Sequence, residues 1–200
     1  NKKSLLLTTA EAAYAESQYQ KDMIKNRAAY QVAVEKAISA YPESLEAIVM
    51  RNDLAQLIKG DAKEAPAKAQ EIAQQNIKLI DGMLKSDEKM KAAFAENLSG
   101  DFTKFEAAKL WSEKYAAAKV LGDETVTKES QKQVLKLVNP LLKVESPGAM
   151  MSGLSLLKSV NMKDEALAGI EKLAAAYPKS EVYQLSLIHI SEPTRPLYNS

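Results

Sequence analysis

The chain has 200 residues, 46% hydrophobic, 26% charged and 6% aromatic, and its 27 Lys and Arg against 26 Asp and Glu leave a net charge of +1. That is enough chain for one ordinary domain or a short repeat array, with no basic excess to hold nucleic acid by counterion release. Only three of the cations are Arg, on which bidentate phosphate and base recognition leans, and there is no Cys, which removes disulfides, thiolate catalysis and thiolate metal sites.

At the start, Lys2-Lys3 before Leu5-Leu6-Leu7, with Ala13-Tyr14-Ala15 further on, resembles a charged region and a small-residue cleavage site, but Glu11 interrupts the apolar core and the run is too short for a signal. The first residue is Asn1 and not Met, so an upstream portion is expected to be missing. No segment approaches the roughly 18 uncharged apolar residues of a membrane span, which predicts a soluble piece without membrane insertion.

Ala, Leu, Lys, Glu and Gln dominate, the residues that lose least rotamer freedom in a helix, and strand-forming runs are absent before Leu185. The pattern predicts helices over 9–26 and 28–41, 44–59 and 65–84, 87–98 and 101–121, 127–143, and 148–160 and 163–177, with another starting after Ser180. The clearest apolar stripe is Tyr30, Val34, Ala37, Ile38 and Tyr41, with Glu35, Lys36 and Ser39 opposite. Its twin is Ala166, Ile170, Leu173, Ala174 and Tyr177.

Both stripes end alike, at Tyr41-Pro42-Glu43-Ser44 and Tyr177-Pro178-Lys179-Ser180. Proline pushes its predecessor out of the α region, and the serine two residues later can accept a hydrogen bond from the first free N–H groups of the next helix. A second kind of turn falls around Gly60-Asp61, Gly100-Asp101 and Asn161, where Gly or Asn supplies a left-handed residue and a nearby carboxylate favours the positive end of the next helix. Pro66 suits a first helical turn. Pro140 interrupts the apolar pattern Val134, Leu135, Leu137, Val138, Leu141, Leu142 and predicts a kink or an early stop at Asn139.

Paired antiparallel helices, small residues on the packing faces, a Gly-Asp-x-x-x-Ala-like turn and the Tyr-Pro-x-Ser hinge together resemble tetratricopeptide-type repeats. The two hinge tyrosines lie at 41 and 177, a separation equal to four periods of the family's 34 residues. The resemblance is strongest over 28–75 and 148–184. Between them the turns at Gly60 and Gly100 are wider apart than one period, and the Trp-Leu-Gly-Tyr pattern of the family's first helix is absent. It implies an all-α fold in which antiparallel helix-turn-helix units stack as a short, degenerate solenoid, with a concave face that holds a protein or peptide. Envelope-associated bacterial members often show a similar hinge, which tilts the expected localisation towards the periplasm or cell envelope.

From Leu185 the text changes character. Leu185-Ser186-Leu187-Ile188-His189-Ile190-Ser191-Glu192-Pro193-Thr194-Arg195 resembles the translation of a sequencing-library adaptor, and Pro196–Ser200 is suspect with it. Residues 1–184 are accordingly expected to be the helical repeat domain, cut at one or both ends, and 185–200 a non-native tail. Without that tail the chain has no His, which excludes Ser-His-Asp and Cys-His triads and His-ligated zinc. No glycine-rich phosphate loop, nucleotide fingerprint or metal-ligand spacing occurs, so no catalytic residue, cofactor or metal is expected.

Four residues are candidates for partner binding. Arg51 lies on the apolar face of its helix between Ile48, Ala55 and Ile58, where a guanidinium must extend past the core edge or find a carboxylate. With Asn52 it would line the concave groove and bind a backbone carbonyl or carboxylate, although a snorkelling arginine is the commoner outcome. Trp111 and Tyr115, four apart with Ala107 and Ala118, would be an aromatic anchor or, as such stripes more often are, core. Met150-Met151 with Leu154 and Leu157 reads as gap-filling core before it reads as a sticky surface. Asp87-Glu88 and Asp164-Glu165 read as helix-start charges.

The expected function is a non-catalytic scaffold for a protein or peptide partner. The alternative is the helical accessory region of a larger enzyme, for example thioredoxin-like or peptidoglycan-cleaving, whose catalytic domain lies beyond Gln184.

Overall fold

The computed structural model describes residues 27–60, 62–86, 101–143 and 147–176. Among them the fold is all-α, with seven helices and no strand: α1 (Arg27–Ala40), α2 (Leu45–Lys59), α3 (Ala67–Leu84), α4 (Asp101–Leu121), α5 (Glu124–Leu141), α6 (Pro147–Ser159) and α7 (Lys163–Ala176). The helices expected at 9–26 and 87–98, the turn at Gly100, the hinge at Tyr177-Pro178-Lys179-Ser180 and the 185–200 tail lie outside the described residues.

The helix ends follow local chemistry. Ser44, extended at φ −80° and ψ 156°, accepts the N–H of Ala47 at 3.1 Å and donates its hydroxyl to the Tyr41 carbonyl at 3.0 Å, so one side chain closes the hinge and starts α2. Gly60 ends α2 at φ 53° and ψ −134°, a backbone region open only to glycine, and Asn161 takes φ 60° between α6 and α7.

Two boundaries depart from expectation. Helix α5 begins at Glu124 and not at 127, because Asp123 caps it by accepting the N–H of Val126 at 3.0 Å, just after Gly122 turns the chain at φ 71°. Of the kink or early stop expected at Asn139, the stop does not occur there. The helix runs through Pro140 to Leu141, and Leu142 still donates to the Val138 carbonyl at 3.1 Å. Lys136, Asn139 and Pro140 are all exposed, so in this last turn water can serve the carbonyl that the missing proline N–H leaves free.

Each helix packs on the next in the described chain, and in addition α2 packs on α4 and α4 on α6. Comparable packing of α3 on α5, or of α5 on α7, is absent among the described residues. Helix α4 was expected to pair with 87–98; within the described chain its most extensive partner is α5, across the Gly122-Asp123 turn.

The contacts also set direction. Ile48 shares a cluster with Leu110, Asn52 reaches Glu113, and Lys59 reaches the carbonyls of Lys119 and Val120, so α2 and α4 run parallel. Helix α3 runs antiparallel to both: Ile80 and Met83 meet Ile48 and Leu110, while Ala69 and Ala73 meet Ala55, Ala117 and Val120. Alanines at that second junction let three backbones approach closely. The helices α2, α4 and α6 start at 45, 101 and 147, steps longer than 34 residues.

The core is correspondingly divided. Tyr30, Val34 and Ala37 of α1 pack on Ala47, Met50, Leu54 and Leu57 of α2. The largest cluster joins α4 to α7 through Tyr115, Val134, Val138, Leu154, Leu157, Ile170 and Leu173. Burying each Leu, Ile or Val of this kind contributes about 1.5–3 kcal/mol, and no one helix holds enough of them to bury its stripe alone. Gly169 brings α7 so near α6 that a Cβ built there would overlap Leu154 Cδ2.

Candidate binding face

The burial pattern leaves one stripe of α2 more open than the rest. Ala47, Ile48, Met50, Arg51, Asn52, Leu54, Ala55 and Leu57 are buried, while Val49 and Asp53 are partly exposed and Gln56 is exposed. On α4 the partly exposed residues Lys109, Glu113 and Ala116 recur at i, i+4 and i+7. The two stripes adjoin, because Asn52 bonds to Glu113 and the charge of Asp53 bears on the Glu113 carboxyl. Helix α6 meets α4 through a 2.7 Å hydrogen bond between the Ser112 and Ser159 hydroxyls.

Beneath this face runs a buried polar seam. Asn76 of α3, with no exposed surface, donates from Nδ2 to the Ile48 carbonyl at 2.9 Å and to Asn52 Oδ1 at 2.8 Å. Asn52 in turn donates from Nδ2 to the Glu113 carbonyl at 2.9 Å and to Glu113 Oε2 at 2.7 Å. Three helices are thereby tied by side-chain amides, which restrict their mutual register more than apolar contacts do. Burial pushes the Glu113 carboxyl up to about 7; the Asn52 hydrogen bond opposes the rise and the neighbouring Asp53 charge adds to it. Asp53 is itself anchored by the Tyr30 hydroxyl at 3.3 Å.

The residues singled out from the sequence fall into different environments. Asn52 is 7% exposed, and its amide is taken up by the seam. Arg51 is 8% exposed, and its Nη1 is buried without a hydrogen-bond partner. Desolvation lowers its pKa, and no carboxylate pairs with it among the described residues. Tyr115 is buried in the α4–α7 core; burial raises its pKa, with Lys119 opposing and Glu124 adding. Trp111 is partly buried against the same core. Lys114 covers it, with Nζ 4.6 Å from the ring centroid and 2.6 Å from Asp81 Oδ1. Met150, Leu154 and Leu157 are core, and Asp164 and Glu165 occupy the first turn of α7.

Glu113, Asn76 and Lys114 were not anticipated. A signal existed for the first two: Asn76 interrupts the stripe Ala69, Ala73, Ile80, Met83, and Glu113 interrupts Leu110, Ala117, Val120. A polar residue at a core position of a helical stripe needs a partner from another helix, and here the two share Asn52.

Among the described residues no group of three or more His, Cys, Asp or Glu could hold a metal ion, and no helix is long and apolar enough to cross a membrane. No known protein family's sequence profile matches the chain, and neither a curated protein nor a solved structure matches it significantly.

Proposed function

We propose that the protein is a non-catalytic helical-repeat scaffold that holds a protein or peptide along the open side of the α2–α4–α6 row. The observation that supports the reading is the parallel course of α2 and α4 with antiparallel α3 packed on both, together with the packing of α6 on α4 and α5. Repetition of such a step bends a stack of helices into an arc with an inner and an outer surface. The inner surface would present Val49, Asp53 and Gln56 beside Lys109 and Ala116, a mixture of short apolar and charged groups suited to an extended peptide.

The test is selection from a random peptide library on the immobilised protein, followed by affinity measurements. Val49→Glu and Ala116→Arg, each on the row's open side, are expected to weaken selected peptides at least tenfold. Lys136→Glu on the exposed side of α5 should leave them unchanged. Binding lost through Lys136→Glu and kept in the other two variants would overturn the reading, as would small-angle scattering that fits a closed globule without a hollow.

A further inference from the structure

The Glu113 carboxylate lies in the contact between two parallel helices and, among the described residues, has no cation for a partner. Its Oε2 accepts from Asn52 Nδ2 at 2.7 Å, no ion pair forms with it among the described residues, and the nearby charge that bears on it, Asp53, is of like sign. Among the described residues no neutralising charge reaches it: on α4 itself, Lys109, one turn before Glu113, lies over Phe105 with Nζ 4.8 Å from the ring centroid. From α2, Lys59 is committed to the Lys119 and Val120 carbonyls. From α3, Asn76 reaches the seam only through Asn52, and Asp81 is held by Lys114 on another face of α4. On the α5 side, Glu124 pairs with Lys119. Helix α6 meets α4 through the Ser112–Ser159 hydroxyl pair.

We propose that this contact is a proton-controlled joint: with Glu113 protonated, α2 and α4 are held closed through Asn52, and ionisation of the carboxyl loosens them. The physical reason is an imbalance in what the site offers to each form. A neutral carboxyl keeps its carbonyl oxygen as acceptor for Asn52 and feels no repulsion from Asp53. A carboxylate there strengthens one hydrogen bond but must give up part of its water and face a second negative charge. Opening the joint returns it to solvent. Because α2 and α4 form the proposed binding row, the joint would set the spacing of that row around neutral pH. The joint itself stands without any partner and is tested without one.

The linkage has a definite sign and size. An opened Glu113 titrates near the ordinary value of 4.5 and a closed one near 7. Raising the pH from 6 to 8 should therefore favour opening by about tenfold, with the effect spread around neutrality.

Native-state amide exchange, expressed as protection factors so that the intrinsic pH dependence of exchange cancels, reads this directly. Amides of 48–56 and 109–117 should lose protection about tenfold over that range in the wild type and stay level in Glu113→Gln, which keeps an acceptor for Asn52 without a charge. Asp53→Asn should move the midpoint to lower pH. A pH-dependent loss that persists in Glu113→Gln would overturn the proposal, as would a level wild type or a midpoint unmoved by Asp53→Asn. Carbon-detected NMR titration of the Glu113 carboxyl in the wild type needs no variant to fold, and a midpoint below 5 would overturn it equally.

Discussion

Replacing Arg51 by Met should make the protein more stable. Arg51 is 8% exposed, and its Nη1 is buried with no acceptor, in a helix whose neighbouring positions Ala47, Leu54 and Ala55 all belong to apolar clusters. An unsatisfied buried polar group costs about 1–3 kcal/mol. Methionine keeps most of the aliphatic stem and fills irregular space, so the substitution removes that cost while retaining the packing. In a chain of this length 1 kcal/mol moves the melting temperature by about 2–4 °C, which puts Arg51→Met roughly 2–12 °C above wild type. Thermal unfolding followed by far-UV circular dichroism, with urea titrations to confirm an unchanged m-value, measures the shift.

Arg51→Ala is the control. It removes the stem as well as the charge and should fall below Arg51→Met, so the pair separates the guanidinium from its packing. Equal or lower stability of Arg51→Met than of wild type would refute the reasoning, because the guanidinium would then be contributing contacts that outweigh its desolvation. Unchanged affinity of Arg51→Met for library-selected peptides would in addition remove Arg51 from the binding face.

Global stability should fall as the pH rises from about 5 to 8, because a carboxyl whose folded pKa of about 7 lies above its unfolded 4.5 contributes fully below 4.5 and loses its contribution as the pH passes 7. The span is at most about 3 kcal/mol, reduced by the solvent that meets this partly exposed side chain, and chemical denaturation of Glu113→Gln should lack it. Gly169→Ala should destabilise by about 1–2 kcal/mol in the same assay: overlap with the fully buried Leu154 costs about 1–3 kcal/mol and outweighs the helix propensity gained, at most about 1 kcal/mol. Asn76→Ala should cost about 2–4 kcal/mol, since it strips hydrogen bonds from Asn52 and the Ile48 carbonyl and leaves a void at a fully buried position. A loss below 1 kcal/mol would show that the seam does not hold the three helices together.

The helix ends were legible residue by residue. Ser44 starting α2, Gly60 ending it and Asn161 turning α6 into α7 each act within four residues of their own position, so the chain text contains everything needed to find them. Where the helix ends depart from the sequence pattern, the cause is equally local. Asp123 caps α5 ahead of its first apolar residue, and Pro140 sits in an exposed last turn where a lost N–H costs little.

The candidate site was much less legible. Asn52 and Arg51 are adjacent on α2 and carry similar polar promise in the sequence, yet one is tied into three helices and the other leaves its Nη1 buried without a hydrogen-bond partner. Trp111 reads as an exposed anchor or as core until Lys114 is seen to lie over its ring. Capping, turn geometry and apolar period are properties of one short segment and were determined by the sequence alone. Which faces meet, that α2 runs parallel to α4, and that Glu113 comes to rest beside Asn52 and Asp53 were decided only by tertiary packing. The physical reason is that each apolar stripe can be covered in many ways, and the choice among them depends on the summed fit of all the helices at once.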